Sequence, residues 1–132
     1  MIFTFLFRKV FVNLQTISIK ELNMRIILSN EARLFLHSVP PDASKKITYN
    51  LRKVQSGVKD NELFKKLERT NIWEFRTLFN GIAYRLFAFW DTEQETLVIA
   101  THGIVKKDQK IPRKEIIKAE MIRKDYFKKK KK

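Results

Sequence analysis

Cysteine is absent from the 132 residues, which removes disulfides and thiolate metal sites as sources of stability or chemistry. Histidine is scarce. Only His37 and His102 offer an imidazole, and neither has a carboxylate cluster beside it in the sequence, so neither a structural metal nor a small-molecule cofactor is expected. Long apolar runs are missing too. The stretch richest in Phe, Leu and Val, residues 1–14, is interrupted at Arg8-Lys9, far short of the roughly 20 apolar residues that span a bilayer. It also lacks a basic start and a small-residue cleavage site, so it does not read as a secretory signal. No internal repeat is found at a period of roughly 20–50 residues. These absences lead us to expect a cytoplasmic protein of one domain, with no membrane partner.

Acidic residues are the other shortage. Lys and Arg number 28 against 14 Asp and Glu, for a net charge of +14. The excess is concentrated late: residues 106–132 carry thirteen bases and four acids. Such a surface attracts polyanions and gains from counterion release on binding nucleic acid, although an anionic membrane or an acidic protein would feel the same field. Hydrophobic residues make up 44% of the chain and eleven of them are Phe, enough to build a packed core rather than a disordered chain.

The periodicity changes along the chain. Residues 25–28 read as a short strand. Ser29 and Asn30 are good N-caps for a helix reaching about Val39, which Pro40-Pro41 then stop. Asp42 is placed to cap a second helix, with Ile47, Leu51 and Val54 on one face and Gly57 ending it. From Trp73 to Phe79 apolar and polar residues alternate as in a strand, and Asn80-Gly81 then signals a tight hairpin into residues 82–90. A polar turn at 91–95, a third strand at 96–104 and a basic loop at 105–111 follow. Pro112 suits the first turn of a last helix striped by Ile116, Ala119, Ile122 and Tyr126. The order β-α-α-β-β-β-α predicts an α+β fold, an antiparallel sheet with a helical hairpin packed on one face. Residues 1–23 stand outside this plan as an N-terminal extension, explained if Met24 is the functional start; 24–127 form the domain and 128–132 a disordered basic tail.

Two groups of residues are able to carry chemistry. A two-residue hairpin pairs residue 79 with 82 and 76 with 85, which makes Arg76 and Arg85 cross-strand neighbours. Like charges opposite one another need an offset, from Glu74 on the same face or from a bound phosphate. The second group runs from His102 through Lys106 and Lys107 to Lys110, a cationic segment at the exit of the third strand and fit to hold an anion. Cleaving RNA requires that a 2′-OH lose a proton, that the leaving 5′-oxygen gain one, and that charge on the phosphate be stabilised. Arg and Lys supply the last of these.

The motifs Ile72-Trp73-Glu74-Phe75-Arg76, Tyr84-Arg85-Leu86-Phe87 and His102-Gly103-Ile104-Val105-Lys106-Lys107, with Lys110 and Pro112 behind them, resemble the phage-derived HigB-like subgroup of the RelE/ParE toxin superfamily. The likeness covers about residues 24–126 and preserves the order and spacing of the motifs. It implies a RelE-like fold and a metal-independent, ribosome-dependent endoribonuclease that cuts mRNA and inhibits translation. It also implies a cognate antitoxin of the helix-turn-helix, HigA-like type. By this resemblance Arg76, Arg85, Lys106, Lys107 and His102 are the candidate catalytic residues, and Glu74, Lys110, Arg113 and Lys114 the candidate RNA-binding ones. Some RelE relatives use a tyrosine near the start of the last helix, where this chain has Ile111-Pro112-Arg113. The same fold also serves ParE toxins, which poison DNA gyrase through a protein contact, and a non-catalytic nucleic-acid-binding module fits the charge as well.

Overall fold

The computed structural model describes residues 24–94 and 97–131; the N-terminal extension expected at 1–23 lies outside the described residues. The chain runs β1 (Arg25–Leu28), α1 (Asn30–Ser38), α2 (Pro41–Gln55), β2 (Phe64–Lys66), β3 (Trp73–Phe79), β4 (Ile82–Trp90), β5 (Leu97–Lys106) and α3 (Arg113–Lys130). The strands form one sheet in the order β1-β5-β4-β3-β2. The β3–β4 and β4–β5 pairings are antiparallel, as expected; β2 adds to β3 antiparallel, and β1 lies parallel to β5 with Arg25 opposite Leu97. Among the described residues no helix is long and apolar enough to cross a membrane.

Local chemistry accounts for most boundaries. The Ser29 hydroxyl accepts from the Ala32 N–H and donates to the Thr101 carbonyl, so one residue both caps α1 and ties it to β5. α2 departs from expectation at its start. Pro41 is its first residue and Pro40 its cap, with no side-chain cap hydrogen bond, which leaves Asp42 inside the first turn. Proline suits that position because its missing N–H would have no helical partner there, and the Asp42 charge still favours the helix dipole. Gly57, at φ 103°, follows the helix. β2 was not apparent in the sequence: three residues, Phe-Lys-Lys, are too few to show a period. Its return to β3 passes through Arg69 at φ 62° and is held by the Leu67 N–H donating to the Ile72 carbonyl.

The alternation of the strands feeds two cores. Phe75, Tyr84, Leu86, Ala88, Val98 and Ala100 face the α1–α2 hairpin and pack with Ala32, Ile47 and Val54. Phe87, Phe89, Leu97 and Ile99 face the other way, against Ala119, Tyr126 and Phe127 of α3. The sheet is thus covered by the hairpin on one face and by α3 on the other. Phe87 and Phe89 are fully buried, each stabilising the fold by about 1.5–3 kcal/mol. β5 is longer than expected, carrying Lys106 as strand rather than loop. It holds one extra residue relative to β4: Leu86 pairs with Gly103 while Ala88 pairs with Ala100, a bulge at Thr101-His102.

Two close fits lock the layers. A Cβ at Gly103 would overlap the ring of Phe35 on α1, so the glycine lets the helix lie directly on the strand. At the far end of the sheet Asp91 is completely buried. It accepts from the Tyr126 hydroxyl at 2.8 Å, the Lys130 ammonium at 2.7 Å and the Glu93 N–H at 2.9 Å. Lys130 also meets Glu93 at 2.8 Å, and the two carboxylates raise its pKa. This clamp explains why α3 continues to Lys130, through residues expected to belong to a disordered tail. Burial opposes ionisation of Asp91, but its donors outweigh it and hold the carboxyl below its usual value.

Two outcomes follow from these contacts. Gly103→Ala should lower stability by about 1–3 kcal/mol, the range for overpacking a filled core, read by urea denaturation. Asp91→Asn should cost about 1.5–3 kcal/mol at neutral pH, the range for hydrogen bonds to a charged group. Because the folded carboxyl is depressed, its contribution is complete above the unfolded value of about 3.9 and is lost as pH falls through the folded value. The gap between wild type and Asp91→Asn should therefore narrow in acid; a gap constant with pH would refute the clamp's charge.

Candidate functional site

α3 covers the half of its sheet face that holds Phe87 and Phe89. The half nearer the β3–β4 turn carries Glu74, Arg76 and Leu78 of β3, Ala83 and Arg85 of β4, and Ile104 and Lys106 of β5. Each of these alternates with a residue that faces the helical hairpin or pairs beside one. This half is more open at its rim, where Leu78 is 70% exposed and Arg76, Ala83 and Lys106 are half-buried, while Arg85 and Glu74 are buried beneath them.

The expected register holds. Phe79 pairs with Ile82, Thr77 with Tyr84 and Arg76 with Arg85. Asn80 and Gly81, at φ 51° and 77°, supply the two positive φ angles of a type I′ turn. Below the opposed arginines sits Glu74, buried with Oε1 3.3 Å from Arg85 Nε and Oε2 3.7 Å from Arg76 Nε. The carboxylate offsets one of the two charges. The trio keeps a net positive charge, and its fit is loose by the standard of about 2.7–2.9 Å for charge-assisted hydrogen bonds. Among the described residues Glu74 Oε1, Arg76 Nε and Arg85 Nε have no hydrogen-bond partner. The guanidiniums are tethered elsewhere, Arg85 donating to the Tyr84 carbonyl at 3.0 Å and Arg76 to the Asn61 carbonyl at 3.4 Å. Burial lowers the Arg85 pKa, Glu74 opposes that shift and Arg76 adds to it. The group remains charged at neutral pH because an arginine starts so high.

Lys106 joins this group through the strand pairing of Ala83 with Lys106, two residues along from Arg85 with Ile104 and so on the same face. Lys107 and Lys110 are exposed in the loop that follows, and Arg113 and Lys114 are exposed in the first turn of α3. They place charge around the end of β5 but make no ion pair among the described residues.

His102 occupies a different setting. The bulge buries it beneath the start of α3, beside the Phe87 ring at 5.0 Å. Its Nε2 lies 3.1 Å from Glu115 and its Nδ1 3.1 Å from the Thr101 hydroxyl. With the Glu115 carboxylate accepting, Nε2 carries the proton, and the single proton of the Thr101 hydroxyl, which also lies 3.2 Å from the Phe87 carbonyl, is divided between that carbonyl and Nδ1. Burial lowers the His102 pKa, against the pull of Glu115, so the ring is neutral at pH 7. Lys118 and Glu31 close the same edge with a 2.7 Å ion pair between α3 and α1. Neither Glu115 nor Thr101 was legible from the sequence as a partner of His102, because a bulge and a helix residue thirteen positions away bring them together. Among the described residues no group of three or more His, Cys, Asp or Glu is placed to hold a metal ion.

Residues 34–124 match the family model described as "Phage derived protein Gp49-like (DUF891)", which is most of the chain. No curated protein is significantly similar in sequence. Among solved structures, a free-state mutant of the E. coli toxin RelE is 14% identical. That match covers 77% of this chain and 98% of that one with a TM-score of 0.53, a likeness of fold. The toxin–antitoxin complex RelBE2 from Mycobacterium tuberculosis matches at 22% identity, covering 66% of this chain and 95% of that one, with a TM-score of 0.45. With the family model spanning β3, β4, β5 and the helices around them, the chain belongs to the phage-derived Gp49-like family and carries a RelE-like fold.

Proposed function

We propose that this chain is the toxin of a toxin–antitoxin pair and an endoribonuclease that cuts mRNA on the ribosome. The observation that carries the reading is the pair of opposed arginines over Glu74 on the more open half of the sheet. Two cations sit directly across from each other, and the Nε atoms nearest Glu74 lack hydrogen-bond partners. A phosphodiester bound there relieves the repulsion and offers acceptor oxygens to both guanidiniums. Arg76 and Arg85 then stabilise the charge that develops when the 2′-oxygen attacks the phosphorus and the 5′-oxygen leaves. The first oxygen gives up a proton and the second takes one. Glu74 keeps the arginines on this face when RNA is absent.

Lys106 and Lys107 extend the cationic field along β5, while Lys110, Arg113 and Lys114 hold flanking phosphates. His102 acts through Glu115, fixing the start of α3 and with it the path of the lysine loop. Alignment of the RNA by the ribosome supplies much of the remaining rate. The family resemblance points to a HigA-like helix-turn-helix antitoxin as the partner that holds this RNase in check, with carboxylates meeting the same cations.

Arg85→Ala should lower ribosome-dependent mRNA cleavage by about 100- to 1000-fold, the usual loss of one transition-state donor, and abolish growth arrest. Removing one member of a buried pair strands the other. The Glu74→Gln/Arg85→Ala double variant, checked by circular dichroism, therefore separates lost catalysis from lost folding. Full cleavage by a folded double variant, or gyrase inhibition with intact mRNA, would overturn the reading.

A further inference from the structure

A second basic surface lies on the outer side of the helical hairpin, across the sheet from Arg76 and Arg85. On α2, Ala43, Ile47, Leu51 and Val54 are buried against the sheet. The same helical period turns Lys45, Tyr49 and Arg52 outward at spacings of four and three, in one stripe. Tyr49 is 56% exposed. Its ring is attended by two ammonium groups, Lys46 Nζ at 5.2 Å and Lys53 Nζ at 5.7 Å from the centroid. The stripe borders a groove of about 590 Å³ whose polar lining includes His37, Ser44 and Thr48, and among the described residues no acidic side chain lines it.

These features select a partner by chemistry. Lysines and an arginine spaced along two helical turns suit successive phosphates. An exposed aromatic ring offers a stacking platform for a base, and the hydroxyls of Ser44 and Thr48 offer hydrogen bonds to sugar or base edges. An acidic protein surface would answer the charges, but a flat ring flanked by cations and hydroxyls matches the repeat of base and phosphate along a nucleotide chain. We propose that this groove is a second RNA-binding site, which takes a single-stranded or looped segment by stacking one base on Tyr49 between phosphates held by Lys45, Lys46, Arg52 and Lys53. The inference rests on RNA being the ligand of the protein and adds a contact remote from the cleavage face. It lets the protein grip RNA that it does not cut.

The test uses the full chain and a fluorescein-labelled uridine dodecamer, with affinity followed by anisotropy across salt concentrations and contacts mapped by ultraviolet crosslinking. The substituted positions face solvent, so the fold is retained. Tyr49→Ala should weaken binding on the order of 5- to 100-fold, the usual loss of one stacked base, and Tyr49→Phe should bind as wild type does. Lys45→Gln/Arg52→Gln should reduce the slope of log affinity against log salt by about 1.4, or about 0.7 for each lost single-strand contact. Crosslinks through Tyr49 should persist in Arg85→Ala. An unchanged affinity in Tyr49→Ala, or crosslinks confined to β3, β4 and β5, would overturn the site. Equal competition by polyglutamate with no effect of Tyr49→Ala would also overturn it, in favour of an acidic protein partner. Cleavage assays decide the other reading separately: a chain that crosslinks through Tyr49 yet never cuts mRNA supports this site and removes only the nuclease.

Discussion

The register between β3 and β4 is the constraint on which the rest depends. It is set by two residues, Asn80 and Gly81, whose positive φ angles close the turn with the twist that antiparallel strands require. A slip of one residue would exchange the faces of a strand. Phe75 and Tyr84 would leave the core under the hairpin, and Glu74, Arg76 and Arg85 would be driven into it. The apolar alternation and the turn chemistry agree, so the register is determined twice over. The placement of two arginines opposite each other is therefore a consequence of a well-specified hairpin rather than of loose packing. Its repulsion is met by burying a carboxylate underneath.

That arrangement is only half of a site, since a cationic pair under a helix would be useless. α3 decides which half of the sheet stays accessible. Its apolar stripe sits on Phe87 and Phe89, and its last turn is bound to Asp91 through Tyr126 and Lys130. The first turn is held at the other end by Glu115 on His102 and by Lys118 on Glu31. Between these anchors the helix is held away from the β3–β4 turn, which leaves Arg76 partly exposed above the buried Arg85. The stability of the far end and the openness of the near end are thus one packing solution.

Charge is distributed over both sides of this frame. The sheet face presents fixed guanidiniums, short of hydrogen bonds and aimed by strand geometry, which suits recognition of a phosphate at a defined position. The outer face of α2 presents flexible ammonium groups around one aromatic ring, which suits a chain of nucleotides without sequence preference. Rigid and mobile cations serve different tasks, and the protein carries them on opposite faces.

The sequence by itself determined the order of the elements other than β2, the cross-strand pairing of Arg76 with Arg85, and the apolar faces of α2 (Ile47, Leu51, Val54) and β3 (Trp73, Phe75, Phe79) that pack together. These follow from local periodicities and from one turn type, and local rules suffice for them. The tight fit of Phe35 on Gly103, the parallel pairing of β1 with β5 and the existence of β2 were decided only by the tertiary structure. Each depends on contacts between segments far apart in the chain, which no local pattern encodes. The same holds for His102. Its spacing from the lysines suggested a place among them, but the bulge at Thr101 turned it beneath α3 and toward Glu115. The tail shows the rule from the other side: five lysines in a row read as solvated charge, and only the buried Asp91, brought near by packing, made a helix of their beginning.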